Sequence, residues 1–126
     1  ESMAKNLHIS YLLDFYSGLL TEKQREVMNY YYNDDLSLGE IAANEGITRQ
    51  GVRDSIKRAE TQLLELESQL GLVRRFREIH SGLEQICDAA VRIQEYNNQY
   101  LYSNEIQKDV NTILQTAQQL FDEEEQ

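Results

Sequence analysis

Apolar residues recur at every third or fourth position along most of the chain, the spacing that places them on one side of an α-helix. Strict alternation of apolar and polar residues, which is typical of a half-buried strand, is absent. The clearest run follows Thr48 and consists of Val52, Ile56, Ala59, Leu63, Leu66 and Leu70. It predicts one long helix that ends at Gly71, and the whole chain is predicted to be all-α.

Two capping boxes mark helix starts further upstream. In this motif a Ser or Thr side chain binds the amide three residues on, and the side chain at that position reaches back. One box is Thr21–Gln24 and the other is Ser37–Glu40. Ahead of both, residues 5–18 show a further helical pattern, which ends near Gly18. The residues of this first helix predicted to face inward are Leu12, Phe15 and Leu19.

The segment after Ser37 has the features of a helix-turn-helix. Its first helix carries Ala42, which is small enough to let two helices approach closely, and Gly46 follows where the turn needs a positive φ. Thr48 then caps the second helix. We therefore predict a helix-turn-helix domain over residues 5–71, with the helix after Thr48 placed to enter the major groove of DNA.

The exposed arc of that helix carries side chains suited to nucleic acid. Arginine can bind guanine, and glutamine adenine, through paired hydrogen bonds, while hydroxyl groups and helix N-terminal amides can meet phosphates. The predicted DNA-binding residues are Thr48, Arg49, Gln50, Arg53, Lys57 and Arg58, with Ser37 as a phosphate contact. Four basic residues stand against two acidic ones between Gly46 and Glu60, so this stretch has a local charge of +2.

Several features weaken the predicted binding. Asp54 lies in the middle of the exposed arc, where it would repel phosphate, and Gly51 offers no side chain for a contact. The chain as a whole has a formal net charge of −10. Because phosphate contacts supply most of the affinity for DNA, we predict weak binding by each protomer.

The second half of the chain contains two further apolar seams. The first is Phe76, Ile79, Leu83, Ile86, Ala90, Ile93, Asn97 and Tyr100, and the second is Ile106, Val110, Ile113, Ala117 and Leu120. The six-residue step between them breaks the heptad register, so we predict two helices, over residues 74–101 and 104–121, as either a hairpin or a bent pair. Residues 122–126 are predicted to form a solvated acidic tail.

A pair of amphipathic helices cannot bury its apolar stripe alone. The favoured prediction is that residues 74–121 form a homodimer, and the alternative is that they pack on the first domain to form one six-helix unit. The basic cluster Arg74, Arg75 and Arg77 is either a phosphate contact or the charged start of this helix, and the second interpretation is favoured.

The composition argues against several classes of protein. The single cysteine, Cys87, excludes an intrachain disulfide and favours a cytoplasmic setting. No metal site is predicted, because His8 and His80 lack ligand neighbours at suitable spacing. We expect no cofactor and no catalytic activity, since no phosphate-binding loop or nucleophile motif is present. No apolar run is long enough to span a membrane.

The sequence resembles two known protein families. The segment Leu20–Leu63 is similar to region 4 of bacterial sigma factors, a helical module whose helix-turn-helix reads the −35 promoter element. The phrases LLDFYSGLLTEKQ (Leu12–Gln24) and YYNDDLSLGEIA (Tyr31–Ala42) resemble the signature of the YlxM family of small helix-turn-helix proteins. That resemblance covers most of residues 7–72 and implies a sigma region 4-like bundle there, followed by the C-terminal helical pair that the two apolar seams predict.

The YlxM resemblance also implies a function. Members are typically encoded beside genes for the signal recognition particle GTPases, so a regulatory role in that targeting pathway is expected. The leading hypothesis is a DNA-binding regulator. The competing hypothesis is a module that uses the sigma-like surface to bind a protein, such as a signal recognition particle component, or a structured RNA.

Overall fold

The computed structural model describes residues 5–124. Within that range the fold is all-α, as predicted, and no strand is formed. A short 3₁₀ turn, Ser17–Leu19, follows the first helix. The helices are α1 (Leu7–Tyr16), α2 (Glu22–Tyr32), α3 (Leu38–Glu45), α4 (Arg49–Leu70), α5 (Leu72–Gln99) and α6 (Asn104–Glu124).

The chain divides into two compact units, Glu1–Val73 and Arg74–Gln126. Helices α1 to α4 belong to the first unit, and α6 with nearly all of α5 belongs to the second. None of the helices within residues 5–124 is long and apolar enough to cross a membrane.

Helix α4 forms the centre of the first unit and packs against α1, α2 and α3. Its buried side chains are Val52, Ile56, Ala59 and Leu63, each with no exposed surface. The predicted long helix is therefore confirmed. It ends at Gly71, whose φ of 64° is in the left-handed region that favours glycine.

The local signals that precede α4 are also confirmed. The Thr21 hydroxyl accepts a hydrogen bond from the Gln24 amide, and the Ser37 hydroxyl accepts one from the Glu40 amide, each at 3.1 Å. In both boxes the second side chain reaches back to the first residue's amide. Gly46 adopts a φ of 67° and ends α3, which makes the sharp turn into α4.

The prediction for the inward face of α1 was partly wrong. Leu12 is buried, but Phe15 and Leu19 are exposed, and the other residues that enter the core are Ile9, Leu13 and Tyr16. For Leu19 the cause is the 3₁₀ turn, because its tighter winding interrupts the helical phase from which the position of Leu19 was extrapolated. Phe15 precedes that turn, and it is exposed because it lies outside the side of α1 that carries the four buried residues. Tyr16 is able to enter the core because its hydroxyl finds hydrogen-bond partners there.

The second unit is a helical hairpin, which decides between the two arrangements left open by the sequence. Asn97, near the end of α5, donates a hydrogen bond to the Ser103 carbonyl and accepts one from the Ser103 amide, and this closes the turn. At the far end, the rings of His80 on α5 and Phe121 on α6 lie edge to face at 4.9 Å. Helix α6 runs to Glu124, so it includes the start of the predicted acidic tail, of which residues 125 and 126 lie outside the described range.

Candidate nucleic-acid interface

A cleft of about 330 Å³ lies where the N-termini of α3 and α4 meet. Both helices begin there, so residues of two N-terminal turns, where amides lack helical partners, line the same space. The residues that line the cleft are Ser37, Leu38, Gly39, Arg49, Gln50 and Arg53. Four of the predicted site residues are thus brought together, although they come from two separate segments of the sequence.

Gly39 is a member of this site that the sequence reasoning missed. The Arg49 guanidinium lies directly over it, and a Cβ built on Gly39 would be 3.1 Å from both Nε and Nη2 of Arg49. A glycine in the first turn of a short helix is costly in conformational entropy. This unfavourable residue choice is the feature of the sequence that could have identified Gly39 as part of the site. Here it allows the Arg49 side chain to cross the N-terminus of α3.

The two predicted hydroxyl contacts both serve as helix caps. Ser37 caps α3, and the Thr48 hydroxyl accepts a hydrogen bond from the Gly51 amide at 2.9 Å. Both residues are exposed. Because capping uses only the acceptor side of a hydroxyl, each retains its proton for donation to a phosphate oxygen. The Glu40 carboxylate beside Ser37 works against this, since it brings a negative charge to the same helix end.

Gln50 and Asp54 are joined on the exposed arc of α4. The Gln50 Nε2 donates to Asp54 Oδ1 at 3.0 Å, one helical turn away. The amide that was predicted to recognise adenine is therefore engaged by the carboxylate that was predicted to repel DNA. Gln50 and Asp54 are therefore linked by a hydrogen bond, whereas the sequence analysis considered them separately.

The other acidic residue of this stretch, Glu60, is directed away from the exposed arc. Its side chain is only 14% exposed, and Oε2 accepts a hydrogen bond from the hydroxyl of Tyr32 on α2. Burial and this hydrogen bond raise the pKa of Tyr32, so the hydroxyl remains a donor at neutral pH. Lys57 lies 3.8 Å from the same carboxylate and is itself 61% exposed. Glu60 is therefore turned from the exposed arc, and its ion pair with Lys57 offsets part of the positive charge of that lysine.

Lys57 and Arg58 lie apart from the cleft, beside a shallow groove further along α4. This groove is lined by Asp54, Lys57, Arg58, Thr61, Gln62 and Glu65. The predicted site residues thus form two groups on one helix. The first group surrounds the cleft at the helix N-terminus, and the second lies about two turns further along.

Neighbouring tyrosines support α4 and do not extend the interface. Of the run Tyr30 to Tyr32, Tyr31 is buried, and the other two are half-buried against the core. Among residues 5–124 no group of three His, Cys, Asp or Glu side chains could hold a metal ion.

A family model described as "UPF0122: Putative helix-turn-helix protein, YlxM / p13 like" matches residues 3–119 of this chain. The chain belongs to the UPF0122 family. The chain is 51% identical to the UPF0122 protein of Shouchella clausii over 85 residues, which are 68% of this chain and 78% of that protein. The UPF0122 protein of Halalkalibacterium halodurans is 49% identical over 85 residues, which are again 68% of this chain and 78% of that protein.

A third UPF0122 protein, from a Thermoanaerobacter species, is 48% identical over 89 residues, which are 71% of this chain and 76% of that protein. The resemblance to the YlxM family is therefore confirmed. These UPF0122 relatives carry no activity in their names, so the family membership supports the helix-turn-helix without assigning its ligand.

Proposed function

We propose that this UPF0122 protein is a regulator that binds duplex DNA weakly through the N-terminal half of α4. Arg49, Gln50 and Arg53 would meet base edges, and Ser37 and Thr48 would meet the phosphates on either side. Lys57 and Arg58 would contact the backbone further along the groove. The regulated step would belong to the signal recognition particle pathway, which rests on the resemblance to the YlxM family alone.

The observation that carries the proposal is the cleft between α3 and α4. Two helix N-termini, two arginines and a glutamine converge on one open space at the end of a helix-turn-helix. This combination suits a phosphate next to a base edge, because amides and guanidinium groups bind the first and the forked side chains read the second.

The charge distribution supports the same surface. The N-terminal segment 1–72 contains seven basic and twelve acidic residues, and four of the basic ones lie between Arg49 and Arg58. With Glu60 directed toward Tyr32, Asp54 is the one acidic residue of the stretch 46–60 that remains on the arc. The rest of this acidic domain would repel the duplex, which favours a single orientation on it.

A second candidate function is the binding of a protein or a structured RNA by the same face. It is favoured by the engagement of Gln50 with Asp54 and of Lys57 with Glu60, because these contacts already occupy two of the groups needed for base or phosphate recognition. In this case the partner would be a component of the signal recognition particle, and recognition would depend on shape more than on the bases of a duplex.

Fluorescence anisotropy tests the two candidates directly. Labelled genomic duplex fragments and a structured RNA are titrated with the protein at about 50 and 200 mM salt, the range in which phosphate contacts change affinity most visibly. We expect saturable binding to some duplexes that weakens steeply as salt is raised. A clear preference for the RNA would support the second candidate, and no binding to either nucleic acid would contradict DNA recognition.

Charge reversal on α4 assigns any binding to this face. The double variant Arg53→Glu/Lys57→Glu is expected to lose duplex binding while its circular dichroism spectrum stays unchanged. The matched control is Arg92→Glu/Lys108→Glu, which changes the net charge equally on exposed positions of the second unit. If both double variants lose affinity to the same degree, the effect is one of overall charge and α4 is not the binding surface.

A further inference from the structure

The hairpin of α5 and α6 buries only half of its apolar positions. Of the first seam, the side chains that turn toward α6 are Phe76, Leu83, Ala90 and Asn97. The remaining members lie outside the contact: Ile79, Ile86, Ile93 and Tyr100 are 46%, 51%, 43% and 74% exposed. The contact is filled instead by the partly buried residues His80, Cys87 and Gln94, each directly after one of those isoleucines.

Helix α6 repeats this arrangement. Val110 and Ala117 are buried in the hairpin, while Ile106, Ile113 and Leu120 are 44%, 38% and 43% exposed. Each of the three again directly precedes a partly buried residue, namely Gln107, Leu114 and Phe121. On each helix the exposed residues form a stripe that precedes the partly buried residues by one position. Both stripes are therefore displaced from the hairpin contact in the same direction around their own helix axis. Because the two helices run antiparallel, that shared offset places both stripes on one face of the hairpin.

The opposite face of the hairpin is polar except at Val91. On α5 it carries Arg77, Glu84, Val91 and Asn98, and on α6 it carries Asn104, Asn111 and Gln118. The exposed apolar side chains of the two stripes are therefore concentrated on one face of the hairpin. We name the six exposed side chains Ile79, Ile86, Ile93, Ile106, Ile113 and Leu120 the isoleucine face.

We propose that a second copy of this chain docks on the isoleucine face, so that two hairpins form a four-helix bundle. The first argument is periodicity. Within each helix the stripe repeats every seven residues, which is the repeat that packs long helices side by side. Any occupant must present helices with the same repeat over the same length, and the hairpin of a second copy meets that requirement.

The second argument is area. The six side chains together expose roughly 500 Å² of apolar surface, which is as large as the largest patch on a typical monomer and more than half of the about 800 Å² that each partner buries in a standard interface. Tyr96 and Tyr100, which continue the same side of α5 and are 59% and 74% exposed, extend it further. A symmetric dimer would bury the patch on both copies at once.

The third argument is charge. Residues 73–126 contain ten acidic and five basic residues, so two copies repel each other unless they meet where charge is absent. The outward seam of α5 satisfies this condition from Ile79 onward. Its successive positions are Ile79, Gly82, Ile86, Ala89, Ile93, Tyr96 and Tyr100, and none carries a charge.

Gly82 supplies an independent indication of what covers the face. It lies in the interior of a 28-residue helix, where glycine is disfavoured relative to alanine. Within the protomer, a Cβ added there would meet nothing within 4 Å, so no neighbouring group of the chain requires the glycine. A second helix that approaches α5 closely at this level would require it.

Sedimentation equilibrium of the full chain tests this proposal, with about 1 to 100 µM protein so that a moderate dimer affinity is covered. We expect a dimer for the wild type. Ile86→Asp on α5 and Ile113→Asp on α6 should each give a monomer with unchanged helicity, because both side chains are exposed in the protomer. The matched control Val91→Asp changes a side chain of similar exposure, 42%, on the opposite face and should remain dimeric.

Gly82→Leu separates the effect of docking from that of folding. In an isolated hairpin leucine should favour the helix, but in the dimer it occupies the space of the second copy, so the expected result is a monomer with full helicity. The proposal is overturned if the wild type is monomeric throughout, if Ile86→Asp and Ile113→Asp dimerise like the wild type, or if Val91→Asp dissociates as readily as they do.

Discussion

The Tyr16 hydroxyl donates a 2.6 Å hydrogen bond to Oε1 of Glu67, which joins α1 to the last turn of α4. The same hydroxyl accepts a hydrogen bond from the Leu72 amide at 3.0 Å, and the same carboxylate oxygen accepts one from the Val73 amide at 3.0 Å. Two side chains therefore satisfy the first free amides of α5. Burial, together with the hydrogen bond to Glu67, raises the pKa of Tyr16 and keeps its hydroxyl protonated.

Removal of this hydroxyl should destabilise the first unit. Tyr16→Phe removes a hydroxyl from a buried side chain and breaks its two part-buried hydrogen bonds, to the Glu67 carboxylate and the Leu72 amide, which costs about 1–3 kcal/mol of unfolding free energy. Urea denaturation followed by circular dichroism measures the loss. The same change at Tyr102, which is 52% exposed, should shift stability by less than about 0.5 kcal/mol. Equal effects at both positions would contradict the role given to the Tyr16 hydroxyl.

The turn of the helix-turn-helix should depend on a backbone conformation. Gly46→Ala places a Cβ on a residue with a φ of 67°, and this costs about 1–2 kcal/mol. No atom lies within 4 Å of that Cβ, so the expected loss is conformational and not steric. Gly18 has equally open surroundings without a positive φ, so Gly18→Ala should cause no loss in the same thermal or urea unfolding experiment. A neutral Gly46→Ala would show that the turn adapts to the side chain.

The pH dependence of stability should reveal the carboxylate of Glu45. Burial, and then the negative charge of Glu26, raise the pKa of Glu45, while Lys23 partly opposes them. The folded chain therefore holds a proton at pH values where the unfolded chain has released it, and stability falls as pH rises through this window. At neutral pH the charged Glu45 consequently reduces the unfolding free energy.

Glu45→Gln should thus be more stable than the wild type at pH 7, and the difference should disappear at about pH 3, well below the ordinary glutamate pKa, where Glu45 is protonated in both states. Urea unfolding at the two pH values provides the comparison. Glu65→Gln removes an exposed carboxylate of the same unit and is the control for the loss of one negative charge. A variant that is less stable than the wild type at pH 7 would reverse the assigned sign.

Two substitutions at Asp54 distinguish the effect of its negative charge on DNA binding from the effect of its hydrogen bond with Gln50. Asp54→Asn keeps a hydrogen-bond acceptor for Gln50 and removes the charge, so duplex affinity should rise several-fold, chiefly at low salt. Asp54→Ala also releases Gln50, which should add discrimination between duplexes that differ at one base pair. Anisotropy titrations measure both effects, with the exposed and distant Asp14→Asn as control. Unchanged affinity in both Asp54 variants would mean that DNA does not approach this part of α4.

Much of the first unit follows from local signals. The capping boxes at Thr21 and Ser37, the glycine at position 46 and the spacing of the apolar residues after Thr48 each specify their own structure, because every one depends on neighbours within about four residues. The same reasoning placed Leu12 in the core. It failed at Leu19 because the 3₁₀ turn changes the helical phase there, and at Phe15 because the buried side of α1 is formed by Ile9, Leu12, Leu13 and Tyr16.

The features that the sequence did not reveal depend on residues far apart in the chain. The approach of Arg49 to Gly39 requires the angle between α3 and α4, and the inward direction of Glu60 requires Tyr32, 28 positions earlier. The first C-terminal seam was recognised as one stripe, but only the packing of α5 on α6 shows which half of it is covered. Asn97 fits the seam by spacing, and its two hydrogen bonds to Ser103 become visible only in the folded turn.

Helix α4 is held in the domain by Val52, Ile56, Ala59 and Leu63, while Arg49, Gln50 and Asp54 are exposed and Arg53 is half-buried. Substitutions at positions 49, 50, 53 and 54 therefore leave the buried stripe untouched. A population of variants could explore new binding preferences along this helix without first acquiring compensating changes in the core. The same separation makes α4 a suitable site for a randomised library, in which recognition is selected while the stability of the scaffold stays nearly constant.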